Sequence, residues 1–358
     1  MHAEELRVLR LANFVSPTSG GIRTVLRRVS LAQAALGVRS VVVVPGPDAG
    51  IEAIPGVLDV GTLPGVRLVA GQSYRLMLER GAVRALLDDV RPDVVEIHDQ
   101  LTLAWLGPEC RSRGIRAILV AHERLDLLAA FWSRVPRAAG SITRWLRRIG
   151  DGVDAVVAPS RFAAAPYADA GIEVRVIPWG VDHETFRPAS RAPRRDGALR
   201  LVHAGRLSAE KDPLLSARTA ERLADAGLPV ELLVIGSGPE AATIARHRGT
   251  RSAGFVDGPP RMAELLGAAD VFLAPGPFET FGVSALEAMA CGLPVVCRRS
   301  GSISEIPSTV PAEGTPEGFA EAALRVSGDV GARTRSVAAA RQYTWERAAG
   351  ELLAQYRA

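Results

Sequence analysis

A short apolar run, a turn and a helical pattern recur along this chain, and that phrase constrains the fold more than any other feature. The runs LRVLRLANF, SVVVV, PDVVEIH, IRAILVAH, DAVVAPS and EVRVIP fill the first half, and the phrase restarts with LRLVHAG, VELLVIG, DVFLAP and LPVVCR. Apolar runs without alternation suit strands covered on both faces, the environment of a parallel sheet between helices. The Pro- and Arg-rich stretch HETFRPASRAPRRDGA has no periodicity and predicts a linker over 183–197. The expectation is an α/β chain of two doubly wound, Rossmann-like domains, 1–182 and 198–340, with a helix over 341–358 packing back on the first. A chain of 358 residues is long enough for two such cores. Ligands of these sheets bind at the carboxyl ends of the strands, so functional residues are expected in the turns that follow the runs.

Composition narrows the partners. The net charge is +4 and the pI 9.3, but arginines are interleaved with acids along the whole chain. That pattern lacks the dense basic stripe of a nucleic-acid binder and suits a phosphorylated small molecule or an anionic membrane surface. No window has the roughly 20 apolar residues of a membrane span, and the acidic start MHAEELRVLR is unlike a signal peptide. Cys110, Cys291 and Cys297 have no metal-ligand spacing and read as buried or free thiols of a cytoplasmic protein.

Of the 43 basic residues, Lys211 is the only lysine. It lies in GRLSAEKDP after the run LRLVHAG, before Asp212, a good N-cap, and Pro213, suited to a first helical position. A cation at a helix N-terminus is unfavourably placed unless an anion sits between them, so Arg206 and Lys211 point to an anion site. The alternative is a solvated lysine balanced by Glu210. The next run ends in GSGPEA, where Gly236, Gly238 and Ala241 have the spacing of a dinucleotide fingerprint and Asp257 lies downstream. A plain strand-to-helix turn and a backbone wall for a nucleotide base compete with that reading.

The densest constellation is PGPFETFGVSALEAMACGLPVV. Its prolines and glycines make PGPFETFG a loop carrying Glu279. VSALEAMACG reads as a short helix carrying Glu287 and stopped by Gly292. Phe281, Gly282 and Val283 then offer backbone N–H groups at a helix N-terminus. A carboxylate accepts two hydrogen bonds from a vicinal diol, so two spaced carboxylates beside a phosphate cradle suit a ribose at one end and a sugar at the other.

With TSGGIRT near the start, VIPWGVDHETFRP at the junction and YTWERAAGELLAQY at the end, these motifs resemble, nearly end to end, the retaining glycosyltransferases of the GT-B fold, family GT4. That group contains bacterial mannosyltransferases of the phosphatidylinositol mannoside pathway. The resemblance implies two Rossmann-like domains facing each other across a cleft, and transfer of a hexose from a nucleotide-diphosphate sugar to a hydroxyl with retained configuration. It implies neither metal nor other cofactor. Arg206 and Lys211 would hold the donor diphosphate, Glu279 the transferred sugar and Glu287 the ribose. Gly236, Gly238, Phe255, Val256, Thr280, Phe281, Gly282 and Val283 complete the donor set. Gly20 and Gly21 match a glycine pair that approaches the diphosphate from the other domain, His122 matches the histidine facing the sugar, and His98 is a further candidate. His203, inside a run, reads as a core histidine.

HDQLTLAWLG and AHERLDLL tilt the donor toward GDP-mannose, with a UDP-sugar open. The stretch 123–150 mixes Phe131, Trp132 and Trp145 with Arg134, Arg137, Arg144, Arg147 and Arg148. It fits a helical pair lying on an anionic membrane near a lipid acceptor, or an ordinary packed pair beside a soluble acceptor. Two other classes share the architecture: a PLP-dependent phosphorylase with Lys211 as Schiff base, and a non-catalytic nucleotide-sugar-binding protein.

Overall fold

A computed structural model describes residues 5–15, 20–54, 58–67, 75–133, 138–189 and 197–358. Its contacts divide the chain into two compact units, Met1–Trp179 with Trp345–Ala358, and Gly180–Thr344.

In the first unit the elements run β1 (Leu6–Leu11), α1 (Gly21–Ala34), β2 (Val38–Gly46), β3 (Gly50–Ile54), β4 (Leu58–Pro64), β5 (Val66–Arg67), β6 (Arg75–Leu76) and α2 (Arg80–Val90). They continue with β7 (Val94–Ile97), α3 (Leu106–Ser112), β8 (Arg116–Val120), α4 (Leu125–Ser133), α5 (Ala138–Gly150), β9 (Ala155–Ala158), α6 (Arg161–Asp169) and β10 (Val174–Val176). The sheet order is β10-β9-β8-β7-β1-β2-β4-β3. Each apolar run of the first half is one of its parallel strands. β3 pairs antiparallel with β4 at the edge, and β5 with β6 apart from the sheet. Leu9, Leu11, Val95, Ile97 and Leu119 are buried and pack with Leu87, Leu106, Leu146 and Tyr167 from the flanking helices.

The second unit runs β11 (Leu199–Ala204), α7 (Pro213–Asp225), β12 (Val230–Ile235), α8 (Ala241–Ile244), β13 (Thr250–Gly254), α9 (Pro259–Gly267) and β14 (Val271–Ala274). After these come α10 (Val283–Ala290), β15 (Val295–Arg298), β16 (Val310–Ala312), α11 (Pro316–Ser327) and α12 (Ala332–Ala340), and α13 (Trp345–Arg357) then rejoins the first unit. The order β13-β12-β11-β14-β15-β16 is parallel throughout.

Both sheets reverse their winding once, between β1 and β7 in the first and between β11 and β14 in the second. Loops leaving a sheet at such a point diverge and leave room for a ligand. The loops concerned carry Gly20, His98 and, one strand along, His122 in the first unit, and Arg206, Lys211 and Glu279 in the second.

Residues 180–182, read from the sequence with the first domain, cluster with the second, as do 183–189. Val181 donates its N–H to the carbonyl of Tyr343 at 3.3 Å, and the His183 ring lies 3.2 Å from the same carbonyl. Positions 190–196 of the expected linker lie outside the described residues. Among the described residues no helix is long and apolar enough to cross a membrane.

Candidate active site

In the second unit the chain leaves β11 at Gly205, passes Arg206 and forms a 3-10 turn over Ala209–Lys211. Asp212 is left-handed, at φ 49°, and α7 follows with Pro213 in its first turn. The N-cap expectation fails for the Asp212 side chain, which makes no cap hydrogen bond and pairs instead with the Arg298 guanidinium. Arg298 also donates from Nε to the carbonyl of Pro275 at 2.5 Å. One guanidinium thus ties the Lys211 turn to the start of the PGPFETFG loop.

Lys211 and Glu279 meet directly, Nζ to Oε2 at 2.5 Å, with 29% and 27% of their side chains exposed. The balancing of Lys211 by Glu210 is not found: Glu210 takes Arg206 at 3.4 Å and the Ser208 hydroxyl at 2.5 Å. Arg206 is exposed. The Glu279 carbonyl accepts the buried Ser302 hydroxyl at 2.6 Å. Gly282, at φ 90°, turns the loop into α10, and a Cβ there would lie 2.6 Å from Ile303 Cγ1, so only glycine fits. Phe281 is buried against the Tyr343 ring, centroids 6.0 Å apart. Thr280 and Val283 are half-buried beside it, as is Glu287 on α10, which is therefore not enclosed among the Ala, Leu and Met of its helix.

His203 is a core histidine, 3.1 Å from Ser216 Oγ. Burial, and then Lys211, hold its pKa down to about 4.

Gly236 and Gly238 answer to packing. A Cβ on Gly236 would lie 1.9 Å from the Gly205 carbonyl oxygen, and one on Gly238 2.3 Å from that of Leu207. The two turns are laced by Leu207 N–H to Ser237 O at 2.9 Å and Glu240 N–H to Leu207 O at 2.9 Å. α8 has four residues, too few for the long helix whose N-terminus receives a pyrophosphate in the dinucleotide fingerprint, and that reading falls. What remains is backbone held against the Arg206 loop, with Phe255, 41% exposed, and Val256 following β13 alongside.

In the first unit Gly20 caps α1 with φ −84° and Gly21 is its first residue. A Cβ on either meets nothing within 4 Å, so neither conformation nor packing there requires glycine. Thr18 and Ser19 of the same motif lie outside the described residues.

His122 follows β8, its Nε2 2.6 Å from His98 Nδ1, and stacks on Trp179 with centroids 5.9 Å apart. Burial, then His98, bring its pKa down to about 3, against an opposing pull from Glu96. His98 Nε2 lies 3.2 Å from Glu96 Oε2, and Glu96 is paired with Arg10. Arg10, Glu96 and Tyr356 went unnoticed in the sequence, where the one available signal was a charge inside each of two apolar runs.

Comparison with known proteins decides the family. Residues 19–185 match the family described as Glycosyltransferase Family 4, and residues 198–329 match Glycosyl transferases group 1. Over 367 aligned positions, 98% of this chain and 95% of the relative, it is 36% identical to a GDP-mannose-dependent alpha-(1-6)-phosphatidylinositol dimannoside mannosyltransferase of Mycobacterium tuberculosis. The chain belongs to glycosyltransferase family 4. As a family 4 glycosyltransferase it uses a nucleotide sugar, and its GT-B fold is shared with solved structures. Sucrose-phosphate synthase of Thermosynechococcus elongatus superposes with a TM-score of 0.77 at 19% identity, covering 98% of each chain. Anabaena HepE, solved with UDP and glucose, gives 0.75 at 15%, covering 99% of this glycosyltransferase and 100% of its own chain.

The remaining residues settle as follows. The three cysteines are buried and free, and burial pushes each thiol up to about 12. Cys297 lies within β15. Of the basic aromatic stretch, Arg134 and Arg137 lie outside the described residues. Phe131 is exposed on α4, and Arg144, Trp145, Arg147 and Arg148 are exposed on α5. Trp145 donates its indole N–H to the Gln100 carbonyl at 3.1 Å.

Proposed function

We propose that this glycosyltransferase moves a mannosyl group from GDP-mannose to a hydroxyl of a lipid-linked acceptor, with retention of configuration and without a metal. The observation that carries the reading is the Lys211–Glu279 pair at the winding reversal of the second sheet. The donor base and sugar follow the mycobacterial relative, which resembles this chain along almost its whole length.

Lys211 and Arg206 bind the diphosphate, Glu279 the mannosyl hydroxyls and Glu287 the ribose diol. Backbone N–H groups from Phe281 to Val283 face the phosphate, Gly236, Gly238, Phe255 and Val256 flank the guanine, and Gly20 and Gly21 let the diphosphate approach α1. His122 contacts the transferred sugar. The bond from mannosyl C1 to the β-phosphate oxygen breaks as the acceptor oxygen bonds to C1 on the same face. The acceptor proton passes to a β-phosphate oxygen, and GDP leaves. Negative charge grows on the diphosphate, and two cations fixed before the reaction stabilise it without reorganising. Exposed Arg144, Arg147 and Arg148 beside Trp145 support an acceptor presented at an anionic lipid surface.

Thermal shift tests the donor. GDP and GDP-mannose should stabilise the protein, a ligand at 100 times its Kd adding about 2.7 kcal/mol, while UDP- and ADP-glucose do much less. A response to UDP-glucose alone would overturn the donor, and silence toward every nucleotide the whole reading. Retention is checked by the anomeric coupling in the product, and metal independence by full turnover in EDTA.

A further inference from the structure

Three carboxylates besides Glu279 crowd the turn that carries the only lysine of the chain. Glu210 and Asp212 flank Lys211 in sequence, and Glu240 lies near enough to both that they, after burial, push its carboxyl up. Glu210 is served by Arg206 and by the Ser208 hydroxyl. Asp212 is served by Arg298, the last residue of β15, whose Nη2 donates to Asp212 Oδ2.

Room for that guanidinium is built into the fold. A Cβ on Gly314, between β16 and α11, would lie 1.8 Å from Arg298 Nη1, so any larger residue there would displace it. Arg298 Nε holds the Pro275 carbonyl at 2.5 Å, and a Cβ on Gly276 would lie 3.5 Å from Lys211 Cα, so the loop after β14 rests against the Lys211 turn. From β15, which lies between β14 and β16, one cation with 23% of its side chain exposed reaches the loops after β11, β14 and β16.

Without that charge, an unneutralised Asp212 would stand one residue from Lys211, an ammonium on a flexible stem that already serves one carboxylate. Attraction to the second carboxylate would draw the ammonium off Glu279, and the uncompensated acid would oppose an incoming diphosphate.

We propose that Arg298 is a positioning residue for the transfer: by occupying the Asp212 carboxylate it keeps the Lys211 ammonium on Glu279 and open to the phosphates of the donor. Its effect passes through Asp212. The left-handed backbone there, φ 49°, suits Asn as well as Asp, so the acid can be removed without changing the turn. The part played in turnover rests on the proposed placement of Lys211 at the diphosphate; the protection of the Lys211–Glu279 pair does not.

Because the chain has one lysine, lysine labelled with 13C at Cε gives the whole protein a single side-chain NMR reporter. In Arg298→Met its resonance should move toward the position seen in Glu279→Gln, and in Arg298→Met with Asp212→Asn it should return. Kinetics should follow: kcat falls roughly 10- to 100-fold in Arg298→Met, and most of the loss is recovered in the double variant. A residue that merely braced the loops would give a loss that Asp212→Asn cannot repair. If Arg298→Met fails to fold, Arg298→Gln, whose amide can still donate to the Pro275 carbonyl, replaces it with the same expectations. An unmoved lysine resonance in the single variant would overturn the proposal, as would a double variant no better than the single one. A resonance that moves and returns while kcat stays full throughout would instead overturn the placement of Lys211 at the diphosphate.

Discussion

An ammonium at position 211 carries three protons, and one is committed to Glu279 at 2.5 Å. Two are left for a ligand, and because the group is compact it can serve carboxylate and phosphate together. A guanidinium would behave differently. Its planar fork matches a carboxylate bidentately, so an arginine here would close on both Glu279 oxygens and withdraw that carboxylate from the sugar. Lys211→Arg is therefore expected to lose transfer by roughly a hundredfold or more, an effect of the size seen when one transition-state charge contact is removed. Its melting temperature should stay within a few degrees of the unsubstituted protein. Full activity in steady-state assays of that variant would remove the lysine from the chemistry.

At the scale of elements, the turn between β12 and α8 shows how a loop can be positioned without any side chain. Gly238 sits at φ 157° with the Leu207 carbonyl where a Cβ would go, which lets the turn press against the loop carrying Arg206. Gly238→Ala should destabilise the second unit by about 1–3 kcal/mol through strain. It should also weaken donor binding by displacing Arg206, and denaturant titration with donor affinity checks both. An unchanged unfolding midpoint would show that the turn tolerates the methyl group. The same region marks what could be read in the sequence. Strands buried on both faces announce themselves as unbroken apolar runs, and the loops after β11 and β14 carried their polar residues in the open. α8, with four residues, is too short for periodicity to reveal, so its glycine spacing mimicked a fingerprint. β3 is an antiparallel edge strand without the parallel-strand composition. Arg10 and Glu96 were visible as letters, but their meaning depends on pairing between strands distant in sequence, which no local pattern records.

For the whole molecule, buried ionisable groups in both units set the response to acid. His122 and His203 titrate at about 3 and about 4 when folded, below the ordinary 6.5, so between those values the unfolded chain binds more protons. Stability is complete above pH 6.5 and falls as pH drops below it, by about 1.4 kcal/mol per pH unit for each histidine. Glu96, lowered from 4.5 to about 2, adds a loss of the same sign below pH 4.5. Melting temperatures should hold from pH 8 to 6.5 and decline steeply toward pH 5, and His203→Asn should flatten part of that decline. A level profile down to pH 5 would contradict the buried neutral histidines.

α13 has a consequence for how the protein is made. Tyr356 closes the Arg10–Glu96 cluster, yet it follows the entire second unit in chain order. On the ribosome, β1 and β7 emerge early with opposite charges that have each other, α1, Ser40 of β2 and His98 for company, and the hydroxyl that completes their shell arrives only when nearly the whole chain has been synthesised. The unit translated second can finish folding first, while the first waits with its buried ion pair unsealed. Leaving a buried polar group without its hydrogen-bond partner costs about 1–3 kcal/mol, and more for a charged one, which makes this interval the one in which the nascent chain most needs protection.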